Sequence, residues 1–261
     1  MRTWPTLLRP WVFPLLLLAL LEAAARWLVP GSDALAPPSQ ALQAFGKALS
    51  ASGDESVLQA TAFTLSSAAL GLLLGAALGV TLGLVLGLSR RAAAMGFLSI
   101  EVLRPVPSVA LIPLAMLVFG FGYRMEISVV AFATFWPLLI LTQAAARQVE
   151  PQLLEVAHAL GLSAWARTTQ IVLPAMVPRL FIALRLGVSF ALVVAVTVEI
   201  AANPSGMGYA MMIAQQSLAP DLMLAWLAWI GLVGFAINAL TLRLQRAIAH
   251  RMGEPHTGVA P

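Results

Sequence analysis

The chain carries few side chains able to make or break a covalent bond. Its three histidines, His158, His250 and His256, stand apart, and none falls in a metal-ligand spacing such as H-E-x-x-H. There is no cysteine, which excludes thiol catalysis, disulfides and Cys-based metal sites. A G-x-S-x-G nucleophile elbow is absent, and so is a G-x-x-x-x-G-K-[ST] phosphate loop, so the chain does not itself bind ATP in that way. No catalytic residue, metal or cofactor is expected. What remains are charges in apolar surroundings. Glu199 follows the apolar run Phe190–Val198. A carboxylate within a membrane segment is costly and a functional candidate by default. Lining a solute pathway and holding a helix end by hydrogen bonds weigh equally for it. Arg185 comes a turn and a half after Arg179, and snorkelling of its head to the inner headgroups outweighs solute contact. Glu22 and Arg26 are four apart, can pair on one helix face, and read as structural.

Residues 155–174, EVAHALGLSAWARTTQIVLP, form the most specific segment. Glu150-Pro151 can open a short helix, because proline at an early helical position loses no hydrogen bond. Leu153, Leu154, Ala157 and Leu160 recur at helical spacing and predict an apolar face. Gly161 then stops or turns the helix. A second segment, Ala164–Val172, leads into Leu173-Pro174. These residues by themselves fit two uses equally: docking on a partner, or packing on the chain's own bundle.

The elements that must position these residues are membrane helices. The chain is 60% hydrophobic and only 10% charged, whereas a soluble domain carries about 25% charged residues. Six segments have the apolar character of spans: roughly Trp11–Val29, Ala62–Leu88, Pro107–Phe121, Ile127–Ala146, Met176–Ala202 and Leu222–Leu244. The third is short, and Pro107 and Pro113 predict a kink. Arg2 and Arg9 precede the first run and Ala23–Ala25 follow it, as in a signal peptide. Glu22 and Arg26 at the would-be cleavage region favour a retained first span. The linker Gly31–Ser56 reads as an external loop with some amphipathic helix, Arg147–Ala175 as a cytoplasmic excursion, and Ala202–Asp221 as a second external loop.

Lys and Arg are retained on the cytoplasmic side. With the N-terminus inside, the inner segments hold Arg2, Arg9, Arg90, Arg91, Arg104, Arg147, Arg167, Arg179, Arg243, Arg246 and Arg251. The outer side holds Lys47 and Arg124, with Arg26 near the membrane edge. Both termini are therefore expected in the cytoplasm. The arginine-rich tail is a topology anchor rather than a nucleic-acid site. In the second span Gly71, Gly75, Gly79, Gly83 and Gly87 fall every four residues and form one smooth stripe. Helix packing is favoured over a pore-lining role, because small residues at this spacing let another helix approach closely.

Glu155, Ala157, Gly161, Ile171, Leu173 and Pro174 resemble, at matching spacing, the E-A-A-x3-G-x9-I-x-L-P signature of permease subunits of ABC importers. Val156 departs from the usual alanine, a modest change in volume. The lead-in Val149-Glu150-Pro151-Gln152-Leu153-Leu154 is similar too. So are Leu88-Ser89-Arg90, Leu103-Arg104-Pro105-Val106-Pro107, Phe119-Gly120-Phe121-Gly122 and Gly206-Met207-Gly208-Tyr209, which resemble the nitrate, sulfonate and taurine branch. The resemblance runs from about Leu15 to Leu244. It implies an all-α fold of six membrane helices in one type I importer permease domain, in a bacterial inner membrane. It makes Glu155, Val156, Ala157, Leu160, Gly161, Ile171, Leu173 and Pro174 the coupling loop that docks on a separate ATPase subunit. It further implies a permease homodimer, an external solute-binding protein, and a small solute such as a sulfonate or taurine. The alternative is an autonomous secondary transporter or channel, which would need an intramembrane ion-coupling site. Glu199 is the one residue offered for it.

Overall fold

The structure, a computed structural model, describes residues 4–27, 36–50 and 56–251. Leu28, Val29, much of the Gly31–Ser56 linker, and His256 lie outside the described residues. All regular structure among the described residues is helical. Helices cover the first, second, fourth and sixth expected spans and begin or end a few residues beyond them: α1 is Trp4–Trp27, α3 Val57–Leu88, α6 Tyr123–Arg147 and α11 Pro220–Arg251. The fifth span is one helical run from Ala164 to Ala201, of which α9 is Leu173–Ala201. Shorter helices lie between them: α2 (Pro38–Ser50), α4 (Arg90–Leu103), α5 (Ile112–Phe119), α7 (Pro151–Ala159), α8 (Ala164–Arg167) and α10 (Met207–Gln216).

The third expected span, Pro107–Phe121, is not one continuous helix. Pro107 is extended (φ −64°, ψ 121°) and caps a 3-10 turn, Ser108–Leu111, ahead of α5. Pro113 lies near the start of α5, where its missing N–H costs nothing. Gly120 ends α5 at φ +73°. Eight residues rise about 12 Å, far short of a hydrocarbon core of about 30 Å. Together with α4 the segment makes a pair bent by 82°. Among the described residues four helices are long and apolar enough to cross a membrane, Val57–Leu88, Tyr123–Arg147, Ala164–Ala201 and Pro220–Ile248, and a fifth if the bent pair is one crossing; α1, at the first expected span, is not among them.

The chain forms two compact units. One comprises Met1–Phe63 with Glu199–Leu232, the other Thr64–Val198 with Val233–Pro261. In the first unit α1 is tied to the start of α2, since the Ser39 amide donates to Glu22 Oε2 at 3.0 Å. Trp229 of α11 packs on Phe45 of α2 in a tilted ring contact with centroids 5.1 Å apart.

In the second unit α3 and α6 run side by side in the same direction. Gly71 faces Val130, Gly75 Thr134, Gly79 Phe135, Gly83 Leu139 and Gly87 Ala146. Both numbers rise together, so the pair is parallel. A Cβ on Gly71 would lie 2.6 Å from Val130 Cβ, and one on Gly83 2.6 Å from the Leu139 carbonyl oxygen. The stripe therefore lets α6 backbone pack directly on α3 backbone, where dispersion between close helices replaces the missing hydrophobic drive in lipid. Parallel packing has a topological consequence. Leu88 ends near the level of Arg147, while Tyr123 starts near the level of Ser67, which meets Glu126. The broken segment 89–122 must carry the chain back along the pair, about 30 Å at 1.5 Å per residue. On the other side α9 and α11 are antiparallel: Leu192 meets Gly234, and Arg185 Nε donates to Asn238 Oδ1 at 3.3 Å. Arg90, Arg91, Arg147, Arg179, Arg243 and Arg246 consequently gather at one end of this unit, and Arg124 stands at the other.

Candidate functional site

The segment after α6 folds as a helix, a turn and a second helix. Glu150 is the N-cap of α7 and Pro151 its first residue. His158 lies in the last turn, where a basic group suits the negative end of the helix dipole. The helix ends in a Schellman motif. The Gly161 amide donates to the His158 carbonyl at 3.0 Å and the Leu162 amide to the Ala157 carbonyl at 3.0 Å. Gly161 sits at φ +63°, a conformation that strains any residue with a Cβ. A Cβ added there would meet nothing within 4 Å, so the demand is purely conformational. Ser163 then caps α8, its Oγ accepting from the Ala166 amide at 3.2 Å.

Between α8 and α9 the backbone widens into a π turn, Thr168–Val172, closed by the Leu173 amide on the Thr168 carbonyl. Pro174 follows at the second position of α9. Proline has no amide to donate, and a widened turn is one way a helix continues past it. Sequence reading placed the segment but not the π turn; Pro174 within a helical pattern was its one signal.

Packing divides α7 into two faces. Leu154 packs on the buried cluster of Ala145, Ala146, Val149, Val172 and Met176, and Ala157 is buried. On the other face Leu153 is 37%, Val156 51% and Leu160 68% exposed, and Trp165 of α8 is 77% exposed. The apolar face expected from Leu153, Leu154, Ala157 and Leu160 is therefore split: Leu154 and Ala157 anchor the helix, and Leu153 and Leu160 point away. Glu155 and Pro174 are exposed, whereas Ile171 and Leu173 are half-buried. Arg179 reaches back to the Gln148 carbonyl at 3.3 Å and ties α9 to the start of the loop. The result is a rigidly held apolar surface with charged neighbours, at the arginine-rich end of its unit.

Glu199 lies in the last turn of α9 and is fully buried. Its Oε2 accepts from the Gly208 amide, in the first turn of α10. The N-cap of α10 is Gly206, at φ +96° and with no side chain to cap the helix. A Cβ on Gly206 would collide with the Glu199 carboxylate. The carboxylate thus occupies the positive end of a helix whose own N-cap offers no oxygen. Glu126 is a second buried carboxylate, which sequence reading missed. It stands in the first turn of α6, is fully buried, and accepts a hydrogen bond from Ser67 Oγ of α3. No group of three or more His, Cys, Asp or Glu able to hold a metal ion occurs among the described residues.

Residues 75–254 match the family model of the binding-protein-dependent transport system inner membrane component. The SsuC permease protein of Escherichia coli (strain K12), named for aliphatic sulfonate transport, is 33% identical over 94% of this chain and 92% of its own. The taurine transport system permease protein TauC of the same organism is 29% identical, over 84% of this chain and 81% of its own. Among solved structures, an inward-facing MetNI methionine ABC transporter chain superposes with a TM-score of 0.62 at 17% identity, over 71% of this chain and 92% of that one. An amino acid ABC transporter chain gives 0.60 at 16% identity, over 82% and 96%. These two establish a shared fold.

Proposed function

We propose, for a chain that belongs to the family of binding-protein-dependent transport system inner membrane components, that its exposed α7–α8 surface is the seat of a separate ATPase subunit. The chain is a permease subunit of an ABC importer rather than an enzyme. One observation carries the docking assignment: Leu154 and Ala157 hold α7 to the bundle while Leu153, Val156, Leu160 and Trp165 stay uncovered. Glu155 and the Gly161 turn complete that surface, with Ile171, Leu173 and Pro174 joining it to α9.

The proposed topology has six crossings: α1, α3, the bent α4–α5 pair, α6, the run 164–201, and α11. The parallel α3–α6 pair supports a crossing by the bent pair, since segment 89–122 has to return along it. The arginines gathered with the α7 loop at one end support cytoplasmic termini. Two such chains would enclose the pathway, and closure of the ATPase dimer on ATP would swing the helices through the α7 lever. An external solute-binding protein would deliver the solute. A small sulfonate or taurine is the substrate proposed, on the near-full-length similarity to SsuC and TauC.

The test is affinity purification of the tagged chain from solubilised cell membranes, with its companions identified by mass spectrometry, followed by reconstitution. An ABC ATPase should co-purify, and sulfonate or taurine uptake should require ATP and a binding protein. Uptake by the chain alone, driven by an ion gradient, would sink the assignment.

A further inference from the structure

The first unit contains a cavity of about 1050 Å³ that the transport cycle described above does not use. Its walls are Leu18 and Leu21 of α1, Leu42 and Phe45 of α2, and Leu224 and Leu232 of α11. Nearly every lining side chain is apolar. Of the lining residues with polar side chains, Trp229 has its indole N–H engaged, donating to Thr61 Oγ1 at 2.8 Å. The others, Glu22 and Ser39, meet at one place, joined by Arg26.

The walls are held in place. Glu22 accepts from Arg26 Nε at 2.6 Å and from Ser39 Oγ at 2.7 Å, so α1 and α2 are fixed to each other. The Phe45–Trp229 ring contact fixes α2 to α11. The groove also has the depth of one leaflet. From Leu224 to Leu232 α11 rises about 12 Å, against about 15 Å for half of a hydrocarbon core. Ordered water is a poor occupant, because a buried water needs two to four polar partners and these walls supply almost none. A transported anion is a poor occupant too: among the described residues the charged groups at the groove are the Arg26–Glu22 pair, which carries no net positive charge to offset an anion.

We propose that this groove binds the acyl chain of a phospholipid whose headgroup carries both a phosphate and a primary ammonium. The polar end of the groove presents an adjacent cation and anion, with side chains 59% exposed at Arg26 and 27% at Glu22. That arrangement is complementary to a zwitterion, phosphate toward Arg26 and ammonium toward Glu22. An anionic headgroup would meet Glu22 with no counter-charge of its own. A quaternary ammonium would offer that carboxylate no hydrogen-bond donor. The bound lipid would brace α1 and α2 against α11.

The full-length protein with its co-purifying subunits is exchanged into vesicles of phosphatidylethanolamine, phosphatidylcholine and phosphatidylglycerol in equal parts. Native mass spectrometry then counts the lipids that survive delipidation. Wild type should retain phosphatidylethanolamine, Ala228→Phe should fill the groove and lower retention about tenfold, and Glu22→Gln should erase the preference over phosphatidylcholine. Should Ala228→Phe fail to assemble, a phosphatidylethanolamine with a photoreactive acyl chain, applied to wild type, should label peptides around Leu42 and Leu232. Equal retention by wild type and Ala228→Phe, no preference among headgroups, or labelling confined to other helices would overturn the proposal. So would a cysteine at Leu42 that cross-links to a second copy or another protein. None of these readouts depends on transport, so each stands or falls apart from the ATPase assignment.

Discussion

The Glu199 carboxylate and the Gly208 amide are 2.8 Å apart, joining the end of α9 to the first turn of α10. The pair explains why Gly206 lacks a side chain: the carboxylate fills the space a Cβ would take, and φ +96° suits glycine. A buried carboxylate here serves as the cap that Gly206 cannot provide.

The Glu199 arrangement predicts a stability phenotype. Glu199→Ala leaves a buried amide without its acceptor, a loss of about 1–3 kcal/mol. Gly206→Ala should destabilise as well, since its Cβ meets the carboxylate. Glu199→Gln keeps an acceptor oxygen and should fall between wild type and Glu199→Ala. Thermal unfolding of the purified variants checks the order. If Glu199→Gln unfolds like wild type yet abolishes uptake, the carboxylate serves the solute rather than the helix.

The glycine stripe makes a packing prediction. Gly79 lies against α6 so closely that a Cβ would sit 2.7 Å from the Phe135 carbonyl oxygen. Backbone cannot swing aside as a flexible side chain can. Gly79→Leu should push the helices apart and cost more than the roughly 1–3 kcal/mol typical of overpacking. Membrane abundance and thermal stability report it. Wild-type abundance with wild-type uptake would mean that α3 and α6 do not pack through this stripe in the membrane.

Local pattern made some of this legible and hid the rest. The stripe and the Gly161 turn are visible in sequence because each depends on residues three or four apart. In sequence the break at Pro107 looks like no more than a kink, because average hydropathy stays high across Val106–Phe121 while the prolines forbid one continuous helix. Glu126 gives no signal in sequence, because it sits just ahead of the apolar run starting at Ile127 and its partner Ser67 is 59 positions away. Leu153 and Leu154 are adjacent, and only the tertiary cluster around Met176 decides that Leu154 turns inward. No residue pattern announced the groove beside Glu22, since α1, α2 and α11 meet there from distant parts of the chain.

The arrangement of arginines predicts sidedness. The chain has no cysteine, so single replacements report cleanly. A cysteine at Ser217, exposed after α10, should react with an impermeant thiol reagent in intact cells. Cysteines at Gln152 and Arg91, exposed at the arginine-rich end of the second unit, should react only after the membrane is opened. The reverse pattern would reject cytoplasmic termini.

The α7–α8 surface allows the coupling assignment to be tested in its parts. Gly161 adopts φ +63° with open space around it, so a replacement is strained by conformation alone, about 1–2 kcal/mol. Asparagine tolerates that region better than leucine. Gly161→Asn should therefore keep more of the ATPase than Gly161→Leu, although leucine meets no steric obstacle within 4 Å. Trp165 and Leu160 are the large apolar groups left uncovered, at 77% and 68% exposure. If a partner buries them, Trp165→Ala should lower ATPase co-purification at least about tenfold, as interface tryptophans commonly do. Leu160→Ala should act in the same direction. Glu155→Ala should do less, because an exposed charge contact contributes about 0–1 kcal/mol. Leu154→Ala differs in kind: it removes the anchor beneath α7, so stability and docking should fall together. Co-purification, uptake and thermal unfolding measured side by side separate the two outcomes. Full ATPase binding and full uptake in both Trp165→Ala and Gly161→Leu would place the docking surface elsewhere on the chain.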